Sequence, residues 1–302
     1  MKGLYFQTIR LIILLGIAFN YCDAQEVIAL YPEQTPNQKI IISSPDTGND
    51  AKSVYSRVSN PSLILYPGKK TSAKKTAVII CAGGGYAELN IRREGYTIAE
   101  AFNKKGIAAY VLKYRLPDNG TNINKTIAPL QDAQQAIKIV RDSAKKWNID
   151  PHKIGIMGFS AGGHLAASLG SHYNDVLIDN PSKTNLRPDF MLLIYPVISF
   201  RELFGHIGSR NNLLGKSPSR ESVDYFSNEL HVNKQTPATF LVHAGDDKIV
   251  NVANSLKFYE ELEKNNVAAD LHIYAKGGHG FGAAPTFEEW FGRCILWLNK
   301  SF

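Results

Sequence analysis

Gly158-Phe159-Ser160-Ala161-Gly162 is the stretch of this sequence that decides its fold. A short apolar run, residues 154–157, precedes it and predicts a buried strand, and the Ala- and Leu-rich residues 161–171 predict a helix. A serine between two glycines, where a strand turns sharply into a helix, is typical of a nucleophile lifted above the end of a sheet. Matches to so short a pattern are common, so the flanking strand and helix decide in favour of a nucleophile at Ser160.

Strand-like and helix-like segments alternate on both sides of this turn. The predicted strands are residues 77–81, 108–112, 190–194, 239–243 and 270–274. The predicted helices are residues 95–105, 130–147, 252–265 and 287–298. This alternation predicts an α/β fold with a mostly parallel, doubly wound sheet and helices on both faces, preceded by a β region at residues 25–76. Ligands then bind at the carboxyl ends of the strands.

Residues 199–235 break the alternation. They are polar, contain three glycines and show no clear strand. We therefore predict an inserted irregular region there, lying over the active-site end of the sheet and selecting the substrate.

A serine nucleophile needs a base, and the base needs a carboxylate to orient it. After a turn of this kind the acid comes next along the chain and the histidine last. His279 lies between glycines after the predicted strand 270–274 and is the candidate base. Asp246 and Asp247 follow the strand 239–243 and are both candidates for the acid. We favour Asp247 and interpret Asp246 as a residue that stabilises the loop.

The glycines of Cys81-Ala82-Gly83-Gly84-Gly85-Tyr86 follow the first central strand. Backbone N–H groups in such a loop, together with the N–H of the residue after the nucleophile, stabilise the oxyanion formed during acyl transfer. Gly84, Gly85 and Ala161 are the predicted donors. The spacing is not G-x-G-x-x-G, which argues against a dinucleotide site, and no cofactor is predicted.

Composition excludes several other classes. The 302 residues are 44% hydrophobic and carry a formal charge of +7, with Lys and Arg scattered along the chain, so no nucleic-acid partner is predicted. The sequence has no C-x-x-C, H-x-x-x-H or H-E-x-x-H spacing, so no metal site is predicted. The predicted partner is a small ester substrate, such as an acetylated oligosaccharide.

The N-terminus predicts a signal peptide at residues 1–24. Basic Lys2 and Arg10 precede an apolar run, residues 11–19, which is too short to span a bilayer. We expect cleavage after Ala24 and a secreted or periplasmic protein, with a single domain at 25–302. Lipid anchoring at Cys22 is the weaker alternative. The mature chain then keeps Cys81 and Cys294, which we expect to be free and buried rather than bonded, and it has no predicted membrane segment.

Seven segments together give a resemblance to a known family: residues 78–86, 93–96, 111–116, 130–133, 158–166, 194–197 and 277–281. They resemble the bacterial acetyl xylan esterase-like, or xylanase B-like esterase, α/β hydrolases. The resemblance implies the α/β-hydrolase fold and deacetylation of hemicellulose fragments. It also implies Ser160 as nucleophile, Asp247 as acid and His279 as base. The chain departs from the family's usual proline at Ala82 and at Asn251.

Several alternatives stay open. The resemblance favours an acetyl esterase, beside a feruloyl-type esterase, a prolyl-oligopeptidase-like peptidase and a non-catalytic carbohydrate-binding homologue. For single residues, Tyr86 and Tyr195 are candidates for the acyl pocket or for the core, and His164 is interpreted as a packed helix residue. Glu94 and Arg115 are candidates for a structural ion pair.

Overall fold

The computed structural model describes residues 26–39, 46–49, 54–68 and 72–302. The predicted signal peptide, with the alternative anchor Cys22, lies outside these residues. Within the described ranges, no helix is long and apolar enough to cross a membrane.

The described strands form one large sheet and one small ribbon. The strands of the large sheet are β1 (Val27–Ala29), β4 (Ser62–Tyr66), β5 (Lys75–Cys81), β6 (Ala108–Lys113), β7 (Ile149–Phe159), β8 (Phe190–Ile194), β9 (Ala238–Ala244) and β10 (Ala269–Tyr274). Their spatial order is β1-β4-β6-β5-β7-β8-β9-β10. β1 and β6 run antiparallel to β4, and all other pairs are parallel. β2 (Thr47–Asn49) and β3 (Val54–Arg57) make the ribbon.

Helices follow most strands of the described chain as predicted, and two further short helices lie between residues 199 and 235. They are α1 (Thr97–Lys104), α2 (Ala128–Asp142), α3 (Ser160–His172), α4 (Ile207–Leu214), α5 (Arg220–Tyr225), α6 (Ala253–Lys264) and α7 (Phe287–Ser301). A π-helical turn, Arg92–Tyr96, precedes α1, and a 3₁₀ turn, Asn228–Leu230, follows α5. The predicted mostly parallel, doubly wound α/β fold is confirmed.

Burial explains why the central strands read as continuous apolar runs. β5 and β8 are buried along almost their whole length because helices cover the sheet. Gly155 of β7 leaves room for a neighbour on β8, since a Cβ on it would lie 2.1 Å from the ring of Phe190. Cys81 and Cys294 are both buried and free.

The end of one helix differs from the sequence prediction. α2 ends at Asp142 rather than at residue 147, and Trp147 lies in the turns beyond it. Trp147 keeps the apolar spacing because its ring packs on Tyr110 of β6, with centroids 5.3 Å apart. A side chain can thus continue the stripe of a helix after the backbone has left it.

The prediction that residues 199–235 are irregular is wrong, because this segment contains α4 and α5. Each has a polar cap: the His206 side chain accepts the N–H of Ser209, and the Ser219 side chain accepts the N–H of Ser222. Helices this short and this polar show no apolar stripe in the sequence, which is why they were not predicted.

The expected ion pair between Glu94 and Arg115 is wrong. Arg115 pairs with Asp132 instead, with Nη2 2.7 Å from Oδ1, and both side chains are almost fully buried. The guanidinium also donates to the carbonyl of Pro36 at 2.6 Å. Arg115 therefore links the N-terminal segment to α2. Removing one partner of this buried pair would leave a charge without compensation.

Candidate active site

The strand ends bring the predicted residues to one edge of the sheet. β5 ends at Cys81, just before the glycine run, and β7 ends at Phe159, just before Ser160. β9 and β10 end at Ala244 and Tyr274, just before the aspartate pair and the histidine loop. All four strands are parallel, so these loops meet at their carboxyl ends, where ligands bind in such sheets.

The turn at Ser160 is sterically tight. Ser160 has a positive φ of 51°, a strained conformation for a residue with a side chain. A Cβ on Gly158 would lie 2.0 Å from the carbonyl oxygen of Gly162, and a Cβ on Gly162 would lie 2.2 Å from that of Cys81. The two glycines are therefore a steric requirement of the turn, and the hydroxyl emerges at the first residue of α3.

Ser160, His279 and Asp247 form a continuous hydrogen-bonded chain. Nε2 of His279 lies 2.9 Å from Oγ of Ser160, and Nδ1 lies 2.7 Å from Oδ2 of Asp247. A carboxylate only accepts, so Nδ1 carries the proton and Nε2 is free to accept the proton of the serine hydroxyl. This arrangement can activate a serine for attack on a carbonyl carbon.

Asp247 is held as a carboxylate by four donors. Its Oδ1 accepts the N–H groups of Ile249 and Val250, each at 2.9 Å. Its Oδ2 accepts from His279 and, at 3.2 Å, from Nε2 of His243. Burial alone would raise the pKa of Asp247, but the hydrogen bonds from the two histidines and from Val250 outweigh it and hold the pKa well below its ordinary value.

His243 was not predicted from the sequence. Its side chain is completely buried, and Nδ1 lies 2.8 Å from Oγ of Ser255 on α6. Because Nε2 faces two acceptors, Asp247 and the carbonyl of Val250, it carries the proton. The only signal in the sequence is its position four residues before Asp247.

Asp246 has a different neighbour. Its Oδ1 accepts the N–H of Gly278 at 2.8 Å, and Nζ of Lys276 lies 3.8 Å from its Oδ2. Asp246 therefore fixes the backbone next to His279 without contacting the imidazole in the structure. Asp247 thus bonds the ring of His279, whereas Asp246 bonds the backbone of the loop that carries it.

The three glycines after β5 differ in whether their N–H groups have a hydrogen-bond acceptor. The N–H of Gly83 donates to Oε2 of Glu94 at 2.7 Å. Within the described ranges, no acceptor takes the N–H groups of Gly84 and Gly85. The N–H of Ala161 belongs to the first turn of α3, where backbone donors have no intrahelical partner. These three donors can stabilise an oxyanion next to Ser160.

Glu94 is a second residue that the sequence did not reveal as part of the site. Its other oxygen, Oε1, accepts the hydroxyl of Tyr195 at 2.9 Å, and the Tyr195 ring lies 5.0 Å from the His279 ring, measured between centroids. Burial raises the pKa of Glu94, although Gly83 and Tyr195 partly oppose it. Glu94 therefore links the glycine run to the ring that packs on His279.

Tyr86 and His164 belong to the core rather than to the chemistry. The Tyr86 hydroxyl lies 2.9 Å from Nδ1 of His164, and Nε2 of His164 donates to the carbonyl of Phe226 at 2.8 Å. All of these groups are buried. Burial lowers the pKa of His164 to about 3, so the imidazole is neutral and anchors the glycine run through Tyr86.

We expect His164 to make stability depend on pH. The unfolded chain binds a proton at this histidine below about pH 6.5, whereas the folded chain does so only near pH 3. The free energy of unfolding therefore falls as pH falls, by up to about 1.4 kcal/mol per pH unit from this residue. Urea unfolding between pH 4 and pH 6 should show a steeper decline in the wild type than in His164→Gln. Parallel declines would contradict this account.

Two neighbouring cavities open at the site. One of about 260 Å³ contains Ser160 and His279 in its wall. The other, of about 290 Å³, is lined by five aromatic rings: Phe159, Tyr195, Phe281, Phe287 and Trp290. The two share Arg93, Glu94 and Gly280. Arg93 also donates to the carbonyl of Gly280 and so holds the loop after His279.

The described residues contain no cluster of three or more His, Cys, Asp or Glu side chains arranged to hold a metal ion. What the site does contain is a serine, a histidine, a carboxylate and free backbone donors. Acyl transfer is the chemistry that these groups perform together.

Comparison with known proteins places this site in a family. The model of the family described as BD-FAE matches residues 63–262. An acetylxylan esterase of Xylanibacter ruminicola is 39% identical over 219 residues, which are 71% of this chain and 42% of the relative. Endo-1,4-beta-xylanase B of Butyrivibrio fibrisolvens is 34% identical over 240 residues, 77% of this chain and 36% of the relative. The chain thus spans about two fifths of the length of these two curated relatives.

Two solved structures of sugar-ester or sugar hydrolases are also similar to this chain. An acetyl ester-xyloside bifunctional hydrolase from Caldicellulosiruptor lactoaceticus superposes with a TM-score of 0.75 at 36% identity, covering 91% of this chain and 96% of that one. A sugar hydrolase from Lactococcus lactis gives a TM-score of 0.65 at 28% identity, covering 82% and 97%. The resemblance to acetyl xylan esterase-like hydrolases and the α/β-hydrolase fold are confirmed, and the names of the relatives support the predicted class of carboxylic ester hydrolase. The chain belongs to the BD-FAE family of α/β hydrolases.

Proposed function

We propose that this protein is a serine carboxylic ester hydrolase that works through an acyl-enzyme. The observation that carries the proposal is the unbroken chain from Asp247 through His279 to Ser160, which ends beside unoccupied backbone N–H groups. In this assignment Ser160 is the nucleophile, His279 the general base and acid, and Asp247 the orienting acid.

The proposed reaction has two halves. His279 takes the hydroxyl proton at Nε2 while Oγ of Ser160 attacks the ester carbonyl, and the oxyanion accepts hydrogen bonds from Ala161 and from Gly84 or Gly85. The C–O bond to the alcohol then breaks, and His279 returns its proton to the alcohol oxygen. Water, deprotonated by His279, attacks the acyl-enzyme in the same way and releases the acid and the free serine.

The proposed substrate is an acetylated sugar derived from hemicellulose. The names of the acetylxylan esterase and of the acetyl ester-xyloside hydrolase support this choice. The predicted signal peptide at residues 1–24 fits a secreted or periplasmic protein with a single domain at 25–302, where such fragments would be met. A feruloyl-type ester is the second candidate, because the aromatic cavity of about 290 Å³ beside the site exceeds what an acetyl group fills.

A matched ester panel tests this substrate choice. We expect kcat/KM for 4-nitrophenyl acetate to exceed that for the butyrate ester by about tenfold or more, the discrimination that a few methylenes allow. We also expect release of acetate from acetylated xylan. A higher kcat/KM on a feruloyl ester than on the acetyl ester would reverse the choice of acyl group while leaving the serine esterase in place.

A further inference from the structure

His206 reaches the candidate active site from the inserted segment, residues 199–235. It is the residue before α4, and it lines the cavity that contains Ser160 and His279. It is not one of the lining residues of the neighbouring aromatic cavity. His206 has no role in the reaction proposed above, and no motif in the sequence singles it out.

The hydrogen bonds of His206 fix which ring nitrogen carries the proton. Nδ1 lies 3.2 Å from the backbone N–H of Ser209 and 2.8 Å from its Oγ. A backbone N–H can only donate, so Nδ1 is the acceptor and the neutral ring has its proton on Nε2. Burial, and next to it the proximity of His279, lower the pKa of His206, which keeps the ring neutral. Across the described part of the chain, no acceptor takes the Nε2 proton.

The surrounding backbone holds this ring in place. Gly208 leaves the space that the ring needs, since a Cβ there would lie 3.2 Å from Cε1 and 3.4 Å from Nε2 of His206. Further along α4, Nδ2 of Asn212 donates to the carbonyl of Gly85 at 2.8 Å. The helix that carries His206 is therefore fastened to the glycine run, so the imidazole and the oxyanion donors have a defined relative position.

The position of His279 indicates which part of the substrate lies near His206. His279 must return its proton to the departing alcohol oxygen, so the alcohol lies on the His279 side of Ser160. His206 shares that cavity with His279. Because Nε2–H of His206 has no acceptor among the described residues, a ligand in this cavity that offers an oxygen gains a hydrogen bond. Sugars offer hydroxyl and ring oxygens next to the ester, whereas a simple aromatic alcohol offers none.

We propose that Nε2–H of His206 donates a hydrogen bond to a hydroxyl or ring oxygen of the sugar alcohol, and so selects acetylated saccharides over simple acetyl esters. This assignment rests on the proposed esterase function and adds the contact that recognises the alcohol half of the substrate.

Two substrates with the same acyl group and different alcohols test the proposal: 4-nitrophenyl acetate and an acetylated xylo-oligosaccharide. His206→Phe keeps a flat ring but removes the N–H, whereas His206→Gln keeps an N–H near the position of Nε2. We expect the ratio of kcat/KM, saccharide over nitrophenyl ester, to fall roughly 10- to 100-fold in His206→Phe. His206→Gln should recover most of that ratio. The exposed His152, changed to Gln, is the control and should keep the wild-type ratio.

The outcomes separate this proposal from the proposed function. An equal fall on both esters in His206→Phe, or no fall on either, would overturn the role of His206. A ratio in His206→Gln as low as in His206→Phe would do the same, since it would point to packing rather than to a donor. Wild-type protein that hydrolyses the nitrophenyl ester but not the saccharide would contradict the His206 assignment and the choice of a sugar substrate, while leaving the serine esterase in place. Wild-type protein that hydrolyses neither would contradict the esterase itself.

Discussion

Replacing Ser160 with alanine should lower kcat for 4-nitrophenyl acetate by about 10⁵- to 10⁶-fold, the loss found when a serine nucleophile is removed from such a triad. The reason is that, among the described residues, Ser160 supplies the hydroxyl that hydrogen-bonds Nε2 of His279. Alanine keeps the strained positive φ at this position and fits the space, so the fold should persist. Steady-state hydrolysis and circular dichroism on the same sample measure both.

The matched control for this variant lies on the same helix. Ser171 is near the end of α3, and its hydroxyl is buried without a hydrogen-bond partner among the described residues. Ser171→Ala makes the same chemical change more than two turns away and should retain wild-type activity. If Ser160→Ala keeps more than about one tenth of wild-type kcat, a value that no removed nucleophile leaves, then Ser160 is not the nucleophile.

Replacing Asp247 with asparagine should lower kcat by about 10⁴-fold, because an amide in place of the carboxylate favours the wrong histidine tautomer and no longer stabilises the charged imidazole. The effect should be kinetic, since asparagine keeps an oxygen that can accept the N–H groups of Ile249 and Val250. The measurement is kcat for 4-nitrophenyl acetate together with the unfolding temperature of the variant.

The neighbouring residue provides the control for this second variant. Asp246→Asn keeps an oxygen for the N–H of Gly278 and changes nothing bonded to the His279 ring, so we expect less than about a tenfold loss. Equal losses in the two variants, or a larger loss at Asp246, would show that the orienting carboxylate has been assigned to the wrong residue.

The sharp turn at Ser160 was predictable because its cause is local. Gly158 and Gly162 are required by atoms within the turn and by the end of one adjacent strand, so a five-residue pattern between a strand and a helix contains most of the information. The strands were predictable for a similar reason, because a sheet covered by helices makes each central strand a continuous apolar run.

The choice between the two aspartates was harder to predict. Both follow β9, and a loop of two adjacent carboxylates does not reveal which one turns towards the histidine. In the structure the N–H groups of Ile249 and Val250 hold Oδ1 of Asp247 and so aim Oδ2 at His279. That aim depends on the backbone after the acid, which no residue spacing specifies.

Patterns in the sequence did not identify three residues near the site: Glu94, His243 and His206. Glu94 meets Gly83 and Tyr195 only because the π-helical turn folds back under the glycine run. His206 meets the site only through α4, a short polar helix without an apolar stripe. The bond between Glu94 and Tyr195 joins distant parts of the chain, and no periodicity in the sequence marks any of these contacts.

The most direct test of the catalytic assignment is covalent labelling with a fluorophosphonate, followed by mass spectrometry of the digested protein. We predict a single adduct on the peptide that contains Ser160, loss of ester hydrolysis in proportion to labelling, and no adduct on Ser160→Ala. Hydrolysis that survives complete labelling of Ser160, or inactivation by an adduct elsewhere while Ser160 stays unmodified, would contradict the assignment of Ser160, His279 and Asp247 as the catalytic residues.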